Sequence, residues 1–348
     1  IQKESYQWFL DVGIRELLSD ISPIEDFTGK NWSLTFGEYE FNKPRYTPNE
    51  ALEKGVTYDM SLKVKATLTN KQTGEHITQE VFLGDIPRMT ENGTFIINGI
   101  ERCVVNQLVR SPGAYFSQSI DLGTGVTTYG AEIRPMHGSW LEFSIGKNKV
   151  MTVRIDRKRK FPLTTLLRAI GLATNEEILE TFSEYKDTEY FIKTLEKDPT
   201  QSQIEAVLEI YRKMRPGEPV VLDNAQELLH TLFFDSRRYN LGRVGRYKIN
   251  KKLGLSLPNT SDYWVLTKDD MIATAKYLLK IVHGQGDVDD IDHLGNRRIR
   301  RVGELVAINA FRIGLLRLER AIREKMSLIG SQPEEEFTPT QIVNARPV

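Results

Sequence analysis

The sequence predicts an α+β fold, and three observations carry that prediction. Between about 32 and 105 the apolar residues alternate with a period of two, the mark of half-buried strands. From about 162 onward the period changes to that of helices. An apolar stripe at helical spacing stands near each end of the 348-residue chain.

Taken in order, the first element is a helix over 4–21, where Tyr6, Phe9, Leu10, Ile14, Leu17, Leu18 and Ile21 share a face. Ser22-Pro23 stops it, because the residue before a proline avoids helical backbone. In LKVKATL, Leu62, Val64, Ala66 and Leu68 alternate with Lys63, Lys65 and Thr67. The stretch Lys71-Gln72-Thr73-Gly74 reads as a hairpin turn into a strand around Val81–Leu83. Asn92-Gly93 marks another turn before the apolar run TFIING. Residues 110–130 (RSPGAYFSQSIDLGTGVTTYG) are rich in Gly, Ser and Thr and read as a loop or domain crossing. WLEFSI and MTVRI read as a hairpin around Gly146–Asn148. Ile204, Val207, Leu208 and Tyr211 make one helix face, which Arg215-Pro216-Gly217 ends. Helices follow near 225–234 and 268–282. A long helix over 303–329 carries the stripe Ile308, Phe311, Leu315, Leu318, Ile322, Met326, Ile329, with Gly330 closing it. The chain shows no internal repeat and no low-complexity segment.

Composition is that of an ordinary globular chain, 40% hydrophobic and 27% charged. The length allows two or three domains. No apolar run is long enough to span a membrane. Neither an initiator Met nor a signal pattern opens the sequence, and QIVNARPV has no tail character, so it reads as part of something longer. The single cysteine, Cys103, excludes an intrachain disulfide framework and a cysteine-rich zinc site. Lying in the run CVVNQL, it reads as a buried small hydrophobe, consistent with a reducing cytoplasm. Net charge is zero, with 47 basic and 47 acidic residues, which argues against a uniformly basic DNA binder. The charge is nevertheless segregated. RIDRKRK (154–160) and RRYNLGRVGRYKINKK (237–252) are basic, and 176–198 is acidic. Local fields of this kind act on phosphates whatever the net charge.

The densest constellation is GDVDDIDHLGNRRIRRVGE (286–304), where Asp287, Asp289, Asp290 and Asp292 precede Arg297, Arg298, Arg300 and Arg301. Carboxylates at this spacing can bind Mg²⁺, but the run lacks the glycine and glutamate of a calcium-binding loop, and the arginines downstream oppose a cation. A catalytic acid pair has no partner nucleophile here. Alternating acids and arginines suit a pocket that reads a nucleobase and holds its backbone. They equally suit a helix start with surface Arg–Asp pairs. The five histidines are scattered, and no nucleophile elbow, dinucleotide fingerprint or P-loop is present.

Four blocks in order, GDIPRMTENGTFIINGIERCVVNQLVRSPGAYF (84–116), GSWLEFSI with VRIDRKRKFP (138–162), YRKMRPGEP (211–219) and DDIDHLGNRRIRRVGE (289–304), resemble the β subunit of bacterial RNA polymerases. The resemblance covers essentially the whole chain and only the N-terminal part of that subunit. It implies a strand-rich protrusion domain, formed by 1–110 and completed by 302–348 with its long helix. A mixed, helix-rich lobe domain, 111–301, would be inserted.

It further implies one wall of the DNA cleft, which holds downstream duplex and the non-template strand and docks regulators, with no catalytic step in these residues. At the lobe–protrusion junction, Arg110, Ile291, Asp292 and Arg297 would wall a pocket for a flipped guanine, with Asp292 accepting from its edge. Trp140 would stack on a neighbouring base. Asp156 and Arg157 would line the strand's path, and Arg215 and Arg238 would meet its backbone. Arg102, Val105 and Gln107 match a partial rifampicin pocket. No metal or cofactor is expected within these residues, whereas the full polymerase uses Mg²⁺. Implied partners are DNA, the polymerase subunits α, β′, ω and σ, and the rest of β, with no membrane and a cytoplasmic, nucleoid-associated location. A transcription-repair coupling factor or related regulator would dock on the protrusion, although ITQEV (77–81) lacks the family's usual Lys-Glu before QEV. Arg88, Ala114 and Ala310 are further departures, none in the guanine pocket. Two readings compete: a metal-dependent nuclease using Asp287–Asp292, and a protein-interaction scaffold.

Overall fold

A computed structural model describes residues 1–329 and 338–348, excluding the side chain of Ile329. The fold is mixed α+β, with antiparallel sheets. The chain forms two compact units, one of residues 1–109 with 299–348 and one of residues 110–298.

In the first unit a four-stranded sheet runs in the order β1 (Ile24–Glu25), β2 (Trp32–Phe41), β3 (Asp59–Asn70), β4 (His76–Pro87). The alternation in β3 places Leu62, Val64, Ala66 and Leu68 in the core. The turn after it is a hairpin, where the Asn70 N–H donates to Glu75 O at 2.9 Å. Asn92-Gly93 turns the chain toward a short hairpin of β5 (Phe95–Ile97) and β6 (Ile100–Arg102).

Helices Ile14–Ile21 and Arg312–Ile329 pack with this sheet through Ile14, Leu18, Leu315, Leu318 and Ile322. Both terminal helices differ from the regular helices expected. The first is α-helical over Gln2–Trp8, π-helical over Phe9–Gly13 and α-helical again over Ile14–Ile21. The last is α-helical over Val302–Leu305, π-helical over Val306–Phe311 and α-helical over Arg312–Ile329. A π turn inserts one residue and rotates the apolar stripe back toward the core. Gly330 lies outside the described residues. Cys103 is exposed rather than buried, because 103–106 is neither helix nor strand and carries Val105 out to 79% exposure.

In the second unit the expected loop at 110–130 is mostly strand. After β7 (Gln107–Arg110) come β8 (Gly113–Ile120) and β9 (Thr127–Arg134), joined by the turn at Asp121–Gly125. The serines and threonines that suggested a loop sit on the polar side of these strands, as in the hydroxyl pair Ser119–Thr128 at 2.9 Å. The hairpin of β10 (Leu141–Ile145) and β11 (Met151–Ile155) is as expected. With β12 (Phe161–Pro162) they make a five-stranded antiparallel sheet, β12-β11-β10-β9-β8. One face, including Phe116, Ile133, Leu141, Phe143, Val153 and Ile155, packs in a core with helices Leu163–Ala169, Gln203–Met214, Leu222–Phe233, Gly242–Leu253 and Lys268–Val282. Because side chains alternate, the other face is left for polar residues.

Candidate nucleic-acid interface

That polar face carries the first group of candidate residues. Cross-strand register aligns Tyr115, Glu132, Glu142 and Arg154 across β8, β9, β10 and β11. In the next row Gly113 faces Arg134, and Trp140, just before β10, continues the register beside Arg134. Asp156 fixes the backbone of Trp140. Its carboxylate accepts the Trp140 N–H at 2.8 Å, and its own N–H donates to Trp140 O at 3.0 Å. Asp156 and Arg157 both adopt left-handed backbone, φ 48° and 58°, which folds the RIDRKRK segment back beside the tryptophan.

Trp140 is half-buried, and two arginines, one from β9 and one from the turn that follows β11, attend its ring. The Arg134 guanidinium lies 4.0 Å from the ring centroid and that of Arg157 lies 5.0 Å away, both within cation–π range. Arg134 is anchored, with Nε 2.8 Å from Glu132 Oε2. The same oxygen holds Arg110 at 3.0 Å. Arg157 is loose, its side chain 68% exposed and its Nε 3.9 Å from Glu142. Burial raises the Tyr115 phenol, so it stays protonated and donates to Ser111 O at 2.7 Å.

The second group is the aspartate–arginine segment. Asp289 is committed to structure. Its carboxylate accepts the Phe116 N–H and meets Lys252 Nζ, both at 2.8 Å, while its N–H donates to Phe116 O. These bonds pin the segment to β8. The next residues form a turn in which Asp290 Oδ1 accepts the Asp292 N–H at 2.9 Å and His293 Nδ1 accepts the Gly295 N–H at 3.0 Å. Lys248 donates to Gly295 O at 2.8 Å, and burial lowers its ammonium pKa. Arg297 pairs with Asp292, whose side chain is 84% exposed. The Ser111 N–H donates to Asn296 O at 2.9 Å, bringing the backbone after Arg110 alongside the backbone before Arg297. Ile291 lies partly exposed in the same turn.

Arg238 is exposed, and its carbonyl abuts Gly138, two residues before Trp140. A Cβ on Gly138 would stand 3.1 Å from that carbonyl and 2.8 Å from the Tyr239 ring. Arg215 ends helix Gln203–Met214 and pairs with Glu218 at 3.2 Å. Lys158, from the RIDRKRK segment, reaches Met214 O at 3.2 Å. The nine residues expected to meet nucleic acid therefore all lie in the 110–298 unit. Arg102, Val105 and Gln107 are exposed in the other unit, along 102–107. Sequence reasoning did not single out Glu132 and Arg134, which the structure sets beside Trp140 and Arg110, and it marked Lys158, Lys248 and Lys252 only as members of basic runs. The period-two pair Glu132 and Arg134 was legible only if 127–134 was read as a strand.

Among the described residues, no group of three or more His, Cys, Asp or Glu side chains is placed to hold a metal ion. Within Asp287–Asp292, the Asp289 carboxylate is held by Lys252 and the Phe116 N–H, and Asp292 pairs with Arg297. Among those residues no helix is long and apolar enough to cross a membrane.

Comparison with known proteins agrees with this layout. The family described as "RNA polymerase Rpb2, domain 2" matches residues 110–300. Proteins named DNA-directed RNA polymerase subunit beta align with all of the chain. The one from Syntrophomonas wolfei is 49% identical over 348 residues, that from Gloeobacter violaceus 48% over 348, and that from Geobacillus kaustophilus 43% over 432. The chain spans 30%, 30% and 36% of their respective lengths. The chain therefore belongs to the RNA polymerase β-subunit (Rpb2) family, with residues 110–300 forming its domain 2.

Proposed function

We propose that the chain works as part of a DNA-directed RNA polymerase, a nucleotidyltransferase. It would form one wall of the DNA cleft without itself performing the chemical step. The 1–109 and 299–348 unit is read as the protrusion, and the 110–298 unit as the lobe. Its partners in this reading are DNA, the subunits α, β′, ω and σ, and the remainder of β, in the cytoplasm at the nucleoid. Catalytic Mg²⁺ would be held outside these residues. Arg102, Val105 and Gln107 would give a drug of the rifampicin class only part of its pocket. β4, the terminal strand of its sheet, is the candidate dock for a transcription-repair coupling factor or related regulator.

The observation that supports a strand-holding role best is Trp140, a half-buried aromatic flanked by two guanidinium groups on a sheet face where arginines outnumber unpaired acids. A base stacking on Trp140 needs one of those groups to move, and the loosely held Arg157 is the one free to do so. It would exchange the ring for a backbone phosphate. Base–aromatic stacking of this kind contributes about 1–3 kcal/mol. Arg110, Ile291, Asp292 and Arg297 would receive a guanine from the same strand, with Asp292 accepting from its edge. Asp156 would serve by fixing Trp140, and Arg157, Arg215 and Arg238 by meeting phosphates.

The test is base discrimination. Arg297→Ala is expected to lower the preference for guanine at one position by about 1–3 kcal/mol, as for loss of a bidentate contact. Equal losses for all four bases would contradict the pocket.

A further inference from the structure

We propose that Glu132 and Arg134 are positioning residues that lock Trp140 and Arg110 into one preformed unit. The inference rests on the reading that Trp140 stacks on a base. Glu132 Oε2 accepts from both arginines, 3.0 Å from Arg110 Nη1 and 2.8 Å from Arg134 Nε. Arg134 in turn lies 4.0 Å from the centre of the Trp140 ring. Its side chain is only 14% exposed, so it is poorly placed to reach a phosphate itself. The guanidinium plane is fixed at one end by a carboxylate and at the other packs on the indole, a pairing a flexible ammonium does not reproduce.

The arrangement explains why a carboxylate stands in a surface built for an anion. Glu132 costs electrostatic attraction for phosphate, yet without it two guanidinium groups would repel each other and Arg134 would leave the ring. Fixing Trp140 before the strand arrives removes an ordering cost from binding.

Charge and position predict opposite signs for Glu132→Gln. A purely electrostatic Glu132 repels DNA, so its neutralisation tightens binding. As a positioning residue, Glu132→Gln weakens it. The experiment is fluorescence anisotropy of the full chain with a fluorescein-labelled single-stranded oligonucleotide over a salt series, for Glu132→Gln, Arg134→Gln, Arg134→Lys, Trp140→Ala and the double variant Arg134→Gln/Trp140→Ala. The proposal expects Glu132→Gln and Arg134→Gln each to weaken binding about 5-fold, the size of a cation–π contact. Arg134→Lys should restore only part of that. In the Trp140→Ala background Arg134→Gln should add nothing, and the salt dependence should keep its slope.

Additive losses with a shallower salt slope would show Arg134 on a phosphate and overturn the proposal, as would tighter binding by Glu132→Gln. A second readout needs no DNA. The indole N–H resonance of Trp140, identified by its loss in Trp140→Ala, should shift in both Glu132→Gln and Arg134→Gln while the other tryptophan signals stay in place. An unmoved Trp140 signal overturns the positioning role. A moved signal with Trp140→Ala leaving affinity unchanged sinks the stacking reading alone.

Discussion

Arg246 and Asp270 are completely buried, and neither is tolerable without the other. Arg246 meets both Asp270 oxygens, at 2.7 and 3.0 Å, and donates to the carbonyls of Tyr263 and Val265 at 2.6 and 2.7 Å. Asp270 also accepts the Thr267 N–H at 2.8 Å, capping helix Lys268–Val282. Removing one partner leaves an uncompensated charge in the core. Asp270→Ala is therefore expected to destabilise the 110–298 unit by about 3–5 kcal/mol, measured by chemical denaturation. A loss under 1 kcal/mol would mean that Arg246 finds another partner. The exposed pair Arg297–Asp292 is the opposite case. Pairs of that kind contribute about 0–1 kcal/mol, so a ligand can open it at little cost. The sequence shows both pairs as Arg and Asp alike. Burial separates the core pair from the exposed one, and burial of a particular arginine is not written in local spacing.

The terminal helices show what apolar periodicity reveals and what it hides. The stripe Tyr6, Phe9, Ile14, Leu17, Leu18, Ile21 located the first helix, and the five-residue step from Phe9 to Ile14 coincides with the π turn Phe9–Gly13. The step from Val302 to Ala307, both buried, is likewise five residues at the entry to the second π turn. A regular 3.6 period absorbs such steps unnoticed, so the helices were legible and their π turns were not. Close packing adds a constraint that periodicity cannot show. Gly303 lies against the first helix, where a Cβ would stand 1.9 Å from Ser5 O, and the Gly303 N–H donates to Ser5 Oγ at 3.0 Å. Gly303→Ala should force the two helices apart and cost about 1–3 kcal/mol, seen as a lowered denaturation midpoint. An unchanged midpoint would mean that the contact yields freely. The misread 110–130 segment has a related cause. Ser117, Ser119 and Thr128 lie on the polar face of a sheet, where short hydroxyl residues satisfy strand pairing as well as they satisfy a loop.

For the molecule as a whole, zero net charge conceals a segregation of basic and acidic runs. The basic runs around 154–160 and 237–252 both lie in the 110–298 unit, where Lys158 reaches the helix end beside Arg215 and Lys248 and Lys252 brace the aspartate turn. Their grouping depends on register and helix packing, and so was legible only through whole motifs matched to a family, not through charge spacing. The central claim is that these residues hold a single strand and select guanine at one position. Fluorescence anisotropy of the chain with short single-stranded oligonucleotides at low salt, one position carrying G, A, C or T in turn, tests it most directly. The account predicts tighter binding to the G oligonucleotide by about 1–3 kcal/mol, with the preference persisting as added salt weakens all four. Equal affinity for the four bases at every salt concentration would contradict it.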